Sequence, residues 1–257
     1  VTLLSQAKRP IMILGGGAKN VDSVAQTLAE KLNMPVVNTC NGKGIMPPGH
    51  PLAIGSTPSH PTIREEIERQ TDVVLAVSTE LAETDYDFFF LGDLNIQGKL
   101  IRIDIDSAQL MRNHKPTLPI ISEAQQALDA INKQLPINSH RNSDAVYARC
   151  SKLRADTQDM KKSAYSDFFK TITETLGDCI IVGDSTQPAY YAQAYYETSH
   201  TARYFHSTTG YGTLGYAFPA AIGAAIGAPH LPVIGLTGDG GGQFSLNEII
   251  SAVDANI

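Results

Sequence analysis

Short apolar strands alternating with helical stretches predict an α/β fold of two parallel-sheet, three-layer domains. Three features carry that expectation: strands rich in Val and Ile, helical spacing of apolar residues between them, and glycines directly after strand ends. The first strand is Ile11-Met12-Ile13-Leu14, which runs into Gly15-Gly16-Gly17. Residues 21–32 have helical period, with Val24, Leu28 and Leu32 on one side. Further strands are expected at residues 35–39, 72–77 and 100–105. A helix from about Glu123 stops before Pro136, and the first domain is expected to span residues 1–136. Residues 137–162 are polar and charged, a linker followed by an exposed helix from Ala145. The second domain, residues 163–257, opens with a helix over 165–176 and a strand over 179–183. A helix from about Pro188, a strand over 203–205 and a small-residue helix over 216–227 follow. A strand over 232–236 and a terminal helix from near Ser245 complete it. The pattern is still running at Ile257, so a fragment with an incomplete second domain is expected.

The 257 residues leave room for one or two cored domains, and 42% hydrophobic with 18% charged residues is ordinary for a soluble protein. A net charge of −6 argues against a nucleic-acid partner. No apolar run approaches bilayer length, and residues 1–10 hold no targeting segment, so no membrane partner is expected. Cys40, Cys150 and Cys179 are scattered without metal-ligand spacing and read as reduced, packed thiols of a cytoplasmic protein.

The stretch from Leu231 to Leu246 says most about function. An apolar strand breaks into Gly238-Asp239-Gly240-Gly241-Gly242 before a helix. Glycines at such a turn let backbone N–H groups approach an anion, and the helix N-terminus favours negative charge. Asp239 cannot serve a phosphate directly, because two anions repel. A Mg²⁺ ion bridging carboxylate and phosphate oxygens removes the conflict. The bland alternative is a tight turn with Asp239 capping the helix. A second glycine strip upstream, with Gly210, Gly212 and Gly215, strengthens the ligand reading. Gly15-Gly16-Gly17 lacks the third glycine of a dinucleotide fingerprint, and the next strand ends at Asn38 without an acid for a ribose. It reads as a plain βα turn.

Residues 210–223, from Gly210-Tyr211-Gly212-Thr213-Leu214-Gly215, together with residues 238–248, resemble the diphosphate-binding domain of thiamine diphosphate-dependent enzymes. That group contains acetolactate synthase large subunits and 2-oxo acid decarboxylases. Residues 9–17, 42–52 and 101–106 resemble the family's Rossmann-like central domain, so the likeness covers nearly the whole chain. It implies thiamine diphosphate and Mg²⁺ as cofactors, a 2-oxo acid substrate, and a homodimer or homotetramer of the full-length enzyme. Asp239 would then ligate Mg²⁺. Thr186, Gln187 and the backbone of Gly238, Gly240 and Gly241 would hold the diphosphate. Leu214 would be the wedge that bends the cofactor, and the Gly212 carbonyl would accept from its aminopyrimidine amine, which holds an internal base beside the proton it removes. The resemblance puts the activating glutamate in an N-terminal domain and the second Mg²⁺ ligand further downstream, so little turnover is expected of the isolated fragment.

Acetolactate synthases can hold FAD in the central domain, but their basic-acidic stretch is replaced here by residues 78–88. That departure argues against FAD and favours a flavin-free decarboxylase acting on a long polar 2-oxo acid. Four features keep a bland reading beside the functional one: the segment Asp184-Ser185-Thr186-Gln187 as an N-cap, Glu248 as a solvated helix residue, His206 as core rather than substrate contact, and Tyr190, Tyr191, Tyr195 and Tyr196 as packing. The rival for the whole chain is a non-catalytic nucleotide-binding α/β module.

Overall fold

Strand β1 (Pro10–Leu14) is buried along its whole length, as an interior strand of a sheet covered on both faces must be. In the computed structural model, which describes residues 1–135, 142–158 and 164–257, it lies in the first of two units, Val1–Asp159 and Met160–Ile257. β1 pairs in parallel with β2 (Val36–Asn38) and β3 (Val73–Val77). β4 (Lys99–Asp104) and β5 (Leu118–Ile121) extend the sheet to the order β2-β1-β3-β4-β5. Leu14 registers with both Asn38 and Val77, so the loops that follow these strands leave from one edge.

Helix α1 (Asp22–Leu32) turns Val24, Leu28 and Leu32 into the core, as the spacing predicts. It ends where Asn33 takes a left-handed φ of 42° and donates its N–H to the carbonyls of Ala29 and Glu30. Helix α2 (Ala124–Gln134) buries Leu128 and Ile131 in the same core. Helix α3 (Ser143–Gln158) differs from the exposed helix suggested by the sequence. Cys150 and Leu153 are buried in the core of the first unit, and Arg154 donates to the Ala53 carbonyl. Arg149 reaches buried Glu66, which also pairs with Arg9. The expected linker at 136–141 and the helix end at 159–162 lie outside the described residues.

The sequence reading omitted β5. This strand carries Pro119 and is mostly exposed, and an edge position is where a strand can hold a residue without an N–H.

The second unit has a three-stranded parallel sheet in the order β7-β6-β8, formed by β6 (Ile180–Gly183), β7 (Tyr204–His206) and β8 (Val233–Leu236). Helices α4 (Ala164–Leu176), α5 (Gln187–Tyr195) and α6 (Ala217–Gly227) accompany it. The alanines of α6 allow close approach: Ala217, Ala220, Ala221 and Ala224 pack with Ile180, Val182 and Val233. The terminal region is broken where the sequence suggests one helix from near Ser245. A short helix spans Asp239–Gln243, a 3-10 turn Leu246–Glu248 and a last helix Ile249–Asp254.

Among the described residues, no helix is long and apolar enough to cross a membrane.

Candidate functional site

Parallel pairing brings the C-terminal ends of β6, β7 and β8 to one edge, with Gly183 registered to both His206 and Leu236. Ligands of open α/β sheets bind at such edges. Three segments leave from this one: residues 184–187 after β6, 207–216 after β7 and 237–243 after β8.

The segment after β7 needs its glycines. Gly212 and Gly215 have φ of +66° and +84°, a region that side chains rarely adopt. A Cβ on Gly215 would also lie 2.7 Å from the Phe244 Cβ. Leu214 stands between these two turns with its side chain half exposed. The Gly212 carbonyl accepts from the Ser185 hydroxyl at 2.9 Å, and Ser185 also meets the Ser207 hydroxyl at 2.9 Å. A carbonyl has two lone pairs, so this bond leaves room for a second donor.

After β8, Gly238 is the N-cap of the Asp239–Gln243 helix, and Asp239 is the first residue inside it. The N-cap position thus belongs to Gly238, not to Asp239. Asp239 and Gly240 are exposed, and a Cβ on Gly240 would meet nothing within 4 Å. A Cβ on Gly238 would lie 3.3 Å from Thr186 Oγ1, which brings the turns after β6 and β8 together. Thr186 occupies the N-cap of α5 but makes no capping bond with its side chain. Gln187, next to it, is exposed, and its amide oxygen accepts from the Tyr165 hydroxyl at 2.8 Å. Its NH₂ group keeps the donors that an anion would need. Gly210 is exposed with open space around it, 3.8 Å being the nearest approach of a built Cβ.

Within the segment 184–187, the N-cap position of α5 falls to Thr186, and Asp184 does something else. Its carboxylate, 1% exposed, accepts from the N–H groups of Ser185 and Gly215 at 2.9 and 2.7 Å. Sequence reading missed this role, because the partner lies thirty-one residues away across a fold not yet formed.

His206 is core rather than open to a ligand. Tyr190 meets its ring edge-on at 5.5 Å and Tyr204 stacks at 5.9 Å. Burial pushes its imidazole down to about 4, with the nearby Asp184 acting weakly the other way. The other tyrosines also pack: Tyr191 stacks on Tyr165 and Tyr195, and Tyr196 donates its hydroxyl to the Cys179 carbonyl. Glu248 is half-buried and accepts from the Ser251 hydroxyl and the Asn247 amide.

The glycine turn after β1 is filled from within. A Cβ on Gly15 would lie 2.1 Å from the Ser78 carbonyl oxygen, one on Gly16 2.8 Å from the Asn41 Cβ, and one on Gly17 2.8 Å from the Ser78 Cβ. These glycines let loops of the chain itself meet, which is the plain βα-turn reading. The cavity nearby, lined by Thr39, Leu81, Asp85 and Tyr86 among others, has about 10 Å³, room for about one water. Among the described residues, no group of three or more His, Cys, Asp or Glu side chains gathers as a metal site. Cys40, Cys150 and Cys179 are free thiols, all buried.

Two family models match the chain. Residues 1–131 fit the thiamine pyrophosphate enzyme central domain, and residues 184–257 fit the C-terminal thiamine pyrophosphate-binding domain. The chain belongs to the thiamine pyrophosphate enzyme family. Its relatives include a probable 2-ketoarginine decarboxylase of Pseudomonas aeruginosa, 35% identical over 97% of this chain and 44% of that protein. A probable acetolactate synthase large subunit of Methanococcus aeolicus is 30% identical over 100% of this chain and 46% of its own length. The acetolactate synthase isozyme 3 large subunit of Escherichia coli is 29% identical over 97% and 45% respectively. The chain thus spans under half the length of these curated relatives. Membership implies thiamine diphosphate as the cofactor, and the C-terminal match begins at Asp184, the first residue of the edge just described.

Proposed function

We propose that this chain supplies the diphosphate-anchoring part of a Mg²⁺-dependent enzyme that decarboxylates a 2-oxo acid with a long polar side chain. One observation carries the reading: an exposed carboxylate, Asp239, sits in a glycine turn that adjoins Thr186 and shares its sheet edge with the left-handed Gly212–Gly215 strip. The donor set suits the group. Open backbone at Gly240, the Thr186 hydroxyl and the Gln187 amide match phosphate oxygens, and Mg²⁺ takes one or two carboxylates plus phosphate.

In this reading Asp239 would hold the metal, and the residue 238–241 backbone with Thr186 and Gln187 would hold the diphosphate. Leu214, half exposed between the turns at Gly212 and Gly215, would pack against the bound cofactor, and the Gly212 carbonyl would accept from its amine. The bound cofactor supplies an electron sink for the pair left behind when CO₂ departs. What this chain contributes is orientation, which lowers the entropic part of the barrier.

The substrate class leans on the 2-ketoarginine decarboxylase, whose identity to this chain is 35% against 30% and 29% for the two synthases named above. The internally packed turn at Gly15 supports a central domain that acts as a scaffold without FAD. Assembly as a homodimer or homotetramer belongs to the same proposal.

Calorimetry on the complete polypeptide with thiamine diphosphate plus Mg²⁺, against NAD and FAD, tests the cofactor assignment. Asp239→Ala should weaken cofactor binding about a hundredfold or more through loss of a metal ligand. Parent-like affinity in that variant would refute the metal role. CO₂ release should be faster from guanidino- or amino-tailed 2-oxo acids than from pyruvate, and the reverse order would favour acetolactate-type chemistry.

A further inference from the structure

The carboxylate of Asp184 is almost sealed from water, at 1% exposure, and no Lys or Arg pairs with it among the described residues. Burying a charge is costly unless donors surround it, and here the donors are drawn from three separate segments. Oδ1 accepts the Ser185 N–H at 2.9 Å, from the turn after β6. Oδ2 accepts the Gly215 N–H at 2.7 Å, from the strip after β7, and faces the Thr237 hydroxyl at 3.4 Å, at the end of β8, which shares its one proton with the Gly238 carbonyl at 3.2 Å. The same Oδ2 would lie 2.9 Å from a Cβ on Gly241, so the helix at Asp239 rests directly on it.

Resting on the cofactor reading above, we propose that Asp184 is a positioning residue: its buried carboxylate sets the Leu214 strip and the Asp239 turn in register across the sheet edge. The geometry explains why glycine stands at two of these places. Gly215 must present its N–H at φ +84°, and Gly241 leaves the space that the carboxylate fills. An uncharged core residue would fill the same volume but would bond neither the Gly215 N–H nor the Thr237 hydroxyl. The spacing of the two loops would then be free to vary, and a wedge and a metal ligand act on one molecule only when their separation is fixed.

The test is Asp184→Asn in the complete protein, an isosteric change that removes the charge and one acceptor. Affinity for thiamine diphosphate at saturating Mg²⁺ should fall at least about tenfold, as expected for a lost charge-assisted bond. At saturating cofactor, kcat should fall while KM for the 2-oxo acid stays within about twofold, because substrate binding is not what changes. The near-ultraviolet circular dichroism of the bound cofactor should weaken, since ring orientation loosens. The melting temperature without cofactor should move by only a few degrees. If Asp184→Asn fails to fold, Gly241→Ala keeps the charge and displaces the carboxylate, and should give the same loss of affinity and dichroism.

Parent-like affinity, dichroism and kcat in either folded variant would overturn the positioning role. So would a loss confined to melting temperature. A parent protein that binds no thiamine diphosphate would instead overturn the cofactor reading itself, so the two failures are distinguishable.

Discussion

At the scale of single residues, burial holds one histidine of the second unit, His206, neutral. Removing the His206 ring from water between Tyr190 and Tyr204 disfavours the imidazolium and lowers its ionisation from 6.5 to about 4. The unfolded chain therefore binds the extra proton first as pH falls. The stability that this ring contributes is fully present above about 6.5 and drains away down to about 4, on the order of 3 kcal/mol in all. Urea titrations across that window should show a falling stability in the parent and a flatter profile in His206→Gln. An equal slope in both would place the acid sensitivity elsewhere. Arg102 shows the same dependence on surroundings. It lies in the middle of β4, 1% exposed, and its guanidinium donates to the carbonyls of Thr79, Glu80, Arg112 and His114. Burial lowers its ionisation as well. In sequence it is a charge interrupting an apolar strand; in the fold it fastens two loops.

At the scale of elements, glycine turns decide the geometry of the edge. Gly215→Ala introduces a methyl 2.7 Å from the Phe244 Cβ at a φ of +84°. Left-handed strain alone costs about 1–3 kcal/mol, and the clash adds to it. We expect a melting temperature several degrees lower and cofactor affinity reduced at least about tenfold, read by calorimetry and thermal unfolding. Unchanged values for both would mean that the strip tolerates a side chain and that its backbone path is not fixed. The strands and long helices were legible beforehand, because Val- and Ile-rich runs and the Val24, Leu28, Leu32 spacing reflect local periodicity. The omitted β5 and the broken stretch after Ser245 were not. An edge strand with proline has no periodic signal. The Ile249–Asp254 helix leaves Ile249, Ile250 and Val253 exposed, so its apolar residues mark no core among the described residues.

At the scale of the whole molecule, one buried group in each unit, Asp85 in the first and His206 in the second, responds to acid with opposite sign. In the first unit, burial raises Asp85 from 3.8 to about 7, with Glu80 adding to the rise and the Ala82 and Thr79 hydrogen bonds opposing it. The folded state then holds a proton that the unfolded chain has lost. Its contribution is complete below about 3.8 and is lost as pH rises through 7, against the trend of His206. Asp85→Asn should leave stability at pH 4 unchanged and raise it at pH 8, measured by denaturant unfolding. A variant less stable at pH 8 would reverse the assigned sign.

By itself the sequence determined the α/β class, the positions of most strands along the chain, the family and the residues of the glycine turns, since periodicity, turn chemistry and motif spacing are local properties. The tertiary structure decided what each residue does there. Gly15 closes against Ser78, α3 docks through Cys150 and Leu153, and Asp184 bonds Gly215 while Thr186 takes the N-cap position. These outcomes depend on which distant atoms remove a buried group from water, and contacts between residues far apart along the chain leave no local trace in it.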